Sequence, residues 1–146
     1  MPVVRGCNLP DDLAYDVPNN LWYKDEGDGT YTVGMTMIAA AMAGALVAFT
    51  AKKAGKTIAA GKSVATVESG KWVGPAKIGF AAEIVATNED LSAEPKLVNS
   101  DTYGKGWMVR VRPVDPATVA SVLTPGSAVA APYEAKMAAD DFAGCA

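Results

Sequence analysis

The stretch that decides the fold is Ser63-Val64-Ala65-Thr66-Val67-Glu68-Ser69-Gly70-Lys71-Trp72-Val73-Gly74-Pro75-Ala76-Lys77-Ile78. Two apolar, strand-like runs flank the short polar segment Glu68-Ser69-Gly70-Lys71. Runs joined by a Gly-containing polar turn form a β-hairpin, here with its tip at residues 69–71. A lysine at such a tip is held in solvent on a rigid support, where another enzyme can engulf it and acylate the amine. Geometry alone gives less, since most tip lysines are only solvated charges.

Working outward, the upstream sequence contains a second hairpin. Leu21-Trp22-Tyr23 opens a strand, Asp25-Glu26-Gly27-Asp28-Gly29 turns, and Tyr31-Thr32-Val33-Gly34-Met35 returns. Residues 36–42 are rich in helix formers and end near Gly44, the pattern of a short helix with a glycine stop. Leu46-Val47-Ala48-Phe49 reads as a strand, and Lys52, Lys53 and Lys56 as a solvated turn. Downstream, residues 80–86 form a strand, and Asn88-Glu89-Asp90-Leu91 an N-capped helical turn. Leu97-Val98-Asn99 and residues 101–106 read as loop before the alternating strand 107–112. Beyond it, Asp115-Pro116 caps one helix, and a second runs over 131–142 with Tyr133, Met137 and Phe142 on one face. Residues 3–20 read as an irregular arm. The expected organisation is an arm over 1–20, a β-rich domain over 21–113 and a helical extension over 114–146.

Composition narrows the function. With 16 acidic and 13 basic residues the net charge is −3, which argues against a nucleic-acid partner. The most apolar run, residues 35–49, is too short to span a bilayer, so no membrane is expected. The start lacks the apolar core of a signal peptide, and the expected location is the cytoplasm. Cys7 and Cys145 read as free thiols on loose termini, although a disulfide between them is geometrically possible. There is no histidine, which removes Ser-His-Asp and Cys-His sites and His-based metal centres. No catalytic constellation of carboxylates, Lys or Tyr replaces them, and the expectation is a non-enzyme whose chemistry comes from an attached group.

The stretch Val67-Glu68-Ser69-Gly70-Lys71 resembles the lipoyl-attachment hairpin of the glycine cleavage system H protein family. So do Glu83-Ile84-Val85 with Asn88-Glu89, then Leu97-Val98-Asn99, and Gly106-Trp107. Leu21-Trp22 and Thr32-Val33-Gly34 fall in the right order, so the resemblance covers residues 13–142. It implies a mainly β fold, the barrel-sandwich hybrid of lipoyl domains: two small sheets with short helices and a helical C-terminal tail. It also implies a lipoate joined covalently to Lys71, with Glu68 presenting the tip to a lipoate-attaching ligase. Val64, Val67, Val73, Ile78, Ile84 and Val109 are then inward-facing core, as are Trp22 and Trp107. Trp72 is left open between a buried anchor and an exposed contact.

Several positions depart from the family pattern. Residues 18–22 lack the usual histidine, the first helix is unusually apolar, and Trp72-Val73-Gly74-Pro75 replaces a more polar run. Ala82 stands where the family has glycine, and would strain a turn that needs positive φ. The Arg5-Gly6-Cys7 start, the Met-rich first helix and Glu68-Ser69-Gly70-Lys71-Trp72-Val73-Gly74-Pro75 together resemble the lipoate-binding proteins of bacterial and archaeal sulfur oxidisers. That resemblance implies that the arm carries sulfur to a heterodisulfide-reductase-like complex. The alternatives are an H protein carrying an aminomethyl group among glycine cleavage enzymes, or an unmodified interaction module. A biotin carrier fits less well, because its lysine commonly lies between methionines, whereas Lys71 lies between Gly70 and Trp72.

Overall fold

The computed structural model of the protein describes residues 3–145. The upstream hairpin forms as its turn residues dictate, with strands at Leu21–Asp25 (β4) and Tyr31–Met35 (β5). Asp25 Oδ1 accepts from Gly27 N at 2.8 Å and Asp28 Oδ1 from Thr30 N at 3.0 Å, while Gly27 and Gly29 take positive φ. Helix α1 (Met37–Ala43) follows, its Thr36 Oγ1 accepting from Ala39 N at 3.2 Å. It stops at Gly44, where φ is +82°.

The decisive stretch forms strands β8 (Ser63–Ser69) and β9 (Val73–Lys77), and β6 (Leu46–Ala51) completes a three-stranded antiparallel sheet in the order β6-β8-β9. A larger sheet gathers β3 (Ala14–Asp16), β7 (Thr57–Ile58), β10 (Ala82–Thr87), β11 (Val109–Pro113) and β12 (Thr124–Pro125) around the first hairpin. Its order is β12-β3-β4-β5-β11-β10-β7. Leu21, Tyr23, Val33, Ile84, Val109 and Val111 of this sheet share one buried cluster with Leu46, Phe49, Val64, Val67 and Ala76 of the smaller one. The two sheets therefore face each other across a single apolar core, the mainly β architecture the resemblance implied.

The inward residues follow the expected set with one correction. Val64, Val67, Ile78, Ile84 and Val109 are buried, but Val73 is 62% exposed. On β9 the inward positions are Gly74 and Ala76, so the pleat turns Val73 outward opposite Glu68. The Ala82 concern also disappears. Ala82 takes no positive φ; it lies within β10, fully buried and paired with both Ile58 and Pro113.

The terminal segments differ from the irregular arm and loose ends that the sequence suggested. Val3–Val4 (β1) and Cys7–Asn8 (β2) pair as a small ribbon, and β3 joins the large sheet beside β4. Helix α5 (Ala130–Ala139) packs Tyr133 and Met137 against Leu9, Leu13, Tyr15 and Trp22 in a second buried cluster. Trp22 thus faces this cluster while its neighbours Leu21 and Tyr23 face the first, and all three are buried. A strand covered on both faces shows no polar alternation. Trp107 is half-buried at the edge of the second cluster, with the Arg110 guanidinium 6.0 Å from its ring centroid.

Cys7 and Cys145 are disulfide-bonded across a sequence separation of 138 residues. Around the bond, Cys145 N donates to Arg5 O at 2.9 Å, and the Arg5 guanidinium donates to Glu134 Oε1 and to Phe142 O. Two ends with few local contacts need partners of this kind to stay docked. Closing a loop that long removes unfolded-state entropy on the order of 5 kcal/mol. Cys7→Ser should lower the unfolding free energy by about 2–5 kcal/mol under oxidising conditions. Denaturant melts should show that gap closing once a dithiol reductant is added to both proteins.

Candidate functional site

The tip of the small sheet is a two-residue turn. Ser69 N donates to Trp72 O at 2.7 Å, which leaves Gly70 and Lys71 as the connecting residues. Ser69 Oγ braces the turn from inside, accepting from Lys71 N at 3.3 Å. Lys71 is exposed, and among the described residues it has no carboxylate partner within 4.0 Å. Glu68 is exposed on the outer face of β8, between Ala48 and Val73 of the neighbouring strands. The structure thus puts Lys71 and Glu68 on one hairpin end without pairing them.

A groove of about 230 Å³ opens beside the lysine. Its walls come from the turn before β4 (Asn19, Asn20), from Leu21 and Met35, from Ala39, Met42 and Ala43 of α1, and from Val67, Trp72, Pro75 and Ala76 of the hairpin. None of these side chains is charged. Asn20, on the groove wall, has its Oδ1 buried without a hydrogen-bond partner. The lysine stem lies across the end of α1: a Cβ on Gly44 would sit 3.2 Å from Lys71 Cε and 3.8 Å from Nζ.

Trp72 combines the two roles left open for it. It is 41% exposed, it lines the groove, and its ring lies over Gly74 so closely that a Cβ there would overlap it. Gly74, which the sequence reading passed over, is the residue that lets the indole fold back along β9. Gly74→Ala should push the ring into solvent. The expected readout is red-shifted tryptophan emission and stronger acrylamide quenching, with the fold retained.

The Asn19–Asn20 wall is held by a buried carboxyl. Asp16 is 2% exposed and accepts from Asn19 Nδ2 at 2.7 Å and Asn19 N at 3.3 Å. Burial pushes its pKa above the usual carboxylate value, with the two Asn19 bonds pulling the other way. The folded state then holds the proton to higher pH than the unfolded chain, so this group's contribution weakens as pH rises through the folded value. Asp16→Asn removes that loss. Its stability relative to the parent should increase as pH rises above about 4, the unfolded carboxylate range, in urea melts.

Among the described residues no cluster of three or more His, Cys, Asp or Glu is placed to hold a metal, and no helix is long and apolar enough to cross a membrane. The site is therefore an exposed amine on a stiff hairpin beside an uncharged groove.

The similarity to known proteins is extensive. The family model described as Glycine cleavage H-protein matches residues 13–135. Glycine cleavage system H protein 5 of Aquifex aeolicus is 52% identical over 127 residues, covering 84% of this chain and 85% of that protein. Probable glycine cleavage system H protein 2 of Sulfurisphaera tokodaii is 40% identical, over 88% of each chain. The crystal structure of a glycine cleavage system H protein from Mycobacterium marinum superposes with a TM-score of 0.73 at 28% identity, covering 88% of this chain and 98% of that one. Members of that family are non-catalytic carriers with lipoate attached to a lysine. The exposed hairpin lysine, the paired sheets and the matched length lead to one conclusion: this chain belongs to the glycine cleavage H-protein family.

Proposed function

We propose that Lys71 is the lysine of this chain that carries lipoate, and that the loaded hairpin shuttles a group among glycine cleavage enzymes. The observation that carries this reading is the placement of Lys71, exposed at the turn between two paired strands and flanked by the uncharged groove. The groove fits the group: aliphatic walls from Leu21, Met35 and Val67 suit its hydrocarbon chain, and Met42 sulfur is a polarizable neighbour for its sulfurs. When bound, lipoate supplies a dithiol–disulfide couple. The chain supplies attachment, a stiff support and a cleft from which water is partly excluded. Glu68 marks the tip for the attaching ligase by its carboxylate, three residues before the amine.

The names of the relatives favour an aminomethyl cargo. One observation favours the second reading, in which the arm carries sulfur to a heterodisulfide-reductase-like complex. A protonated aminomethyl amine entering the groove would be desolvated beside side chains that offer no counter-charge. A neutral sulfur cargo has no such cost. A cytoplasmic location belongs to this proposal too. The Cys7–Cys145 bond would be exceptional there outside hyperthermophiles, so thiol trapping in intact cells bears on it.

Intact-mass spectrometry tests the attachment. Apo-protein incubated with lipoate ligase, lipoate and ATP should gain one lipoyl group, and Lys71→Arg should gain none. A parent protein that stays unmodified overturns the carrier reading and leaves the interaction module. The loaded protein, offered separately to glycine decarboxylase with glycine and to a polysulfide donor, then identifies the cargo by the added mass.

A further inference from the structure

The Leu97-Val98-Asn99 motif folds not as loop but as part of helix α3 (Leu97–Ser100). Val98 enters the main core, while Asn99 points the other way, to the turn that links α1 to β6. Its Oδ1 accepts from Leu46 N at 2.9 Å and its Nδ2 donates to Gly44 O at 2.9 Å. One carboxamide therefore brackets the turn on both sides of Ala45. No other side chain of this length accepts from an N–H and donates to a carbonyl at once. The two partners also fix which way round the amide lies.

This turn is the surface on which the arm lysine rests. Gly44 closes α1 at φ +82°, and the space where its Cβ would stand is bounded by Lys71 Cε at 3.2 Å. On the other side of the bracket, Leu46 pairs with Ser69, which closes the tip turn. Asn99 thus ties together the backbone beneath the lysine stem and the strand beside the tip. The two bonded groups lie at element ends, one at the C-terminal end of α1 and one at the start of a bulged strand.

We infer that Asn99 is a positioning residue for Lys71. By bridging Gly44 O and Leu46 N it holds rigid the backbone against which the lysine stem lies, and so presets the amine for acylation. A lysine side chain has four rotatable bonds, and an enzyme that captures it must freeze them. A fixed rest removes part of that cost in advance. The inference rests on the reading of Lys71 as the lipoate attachment site.

The test compares the apo-protein with Asn99→Ala, Asn99→Asp and Gly44→Ala in initial-rate lipoylation by lipoate ligase. Melting temperatures and Lys71 ¹³Cε order parameters are measured on the same samples. Asn99→Ala should raise KM for the carrier by roughly three- to tenfold at nearly unchanged kcat, the range expected for re-immobilising one long side chain. The Lys71 ¹³Cε order parameter should fall with it. Asn99→Asp keeps the acceptor for Leu46 N, loses the donor to Gly44 O, and should lie between, which keeps the test open if the alanine variant folds poorly. Gly44→Ala should exceed both in KM, since it fills the rest itself. A purely structural asparagine would lower the melting temperature while leaving KM and the Lys71 order parameter at parental values, and that result overturns the inference. If the parent itself is not lipoylated, the attachment reading fails, and the Lys71 order parameter alone decides whether Asn99 positions the side chain.

Discussion

Strand β8 is paired on both sides, with β6 and with β9, and everything that the site requires depends on that pairing. Its inward residues Val64 and Val67 anchor the small sheet in the core, so the hairpin cannot tilt without exposing apolar surface. The Ser69–Trp72 hydrogen bond then carries the rigidity of the sheet out to the last two residues of the turn. Lys71 therefore has a fixed root at its Cα, with an exposed side chain beyond it. A carrier needs that division, because the arm must move while its root keeps a fixed place relative to each partner.

The second core serves the same end from behind. Trp22 belongs to the second apolar cluster, and its indole Nε1 donates to Thr102 O at 3.1 Å, which fixes the large sheet against the loop that follows α3. Tyr103 extends the link: its hydroxyl donates to Asn8 O at 2.6 Å and accepts from Met37 N at 3.0 Å at the start of α1. The terminal ribbon, the disulfide and α5 thus bear on the same short helix that lines the groove. An α-helix of seven residues has little stability of its own, and it persists here because its two ends and its buried face are all held.

The uncharged groove is the feature that separates this site from a generic hairpin lysine. Charge in a cleft this apolar would be costly unless paired, and no lining side chain is charged, the Asn19–Asn20 turn giving a neutral polar wall. The turn that supplies it is organised by the buried Asp16, so the chemistry of the cleft is set by a residue behind its wall.

The sequence by itself determined the hairpins, the capped helix and the place of Lys71. These depend on local rules: turn residues at fixed offsets, alternation along strands, and a run of helix formers stopped by glycine. It also carried the motif order that marks the family. Tertiary structure alone decided the rest. The outward turn of Val73 follows from strand register, and register is set by a partner strand. The ordering of residues 3–20 comes from long-range pairing and a disulfide across 138 residues, which no local pattern encodes. The groove likewise draws its walls from five separated segments, and Asn99 meets Gly44 only because α3 folds back against α1. A side chain's neighbours along the chain fix its local conformation, whereas its work depends on neighbours that only folding brings to it.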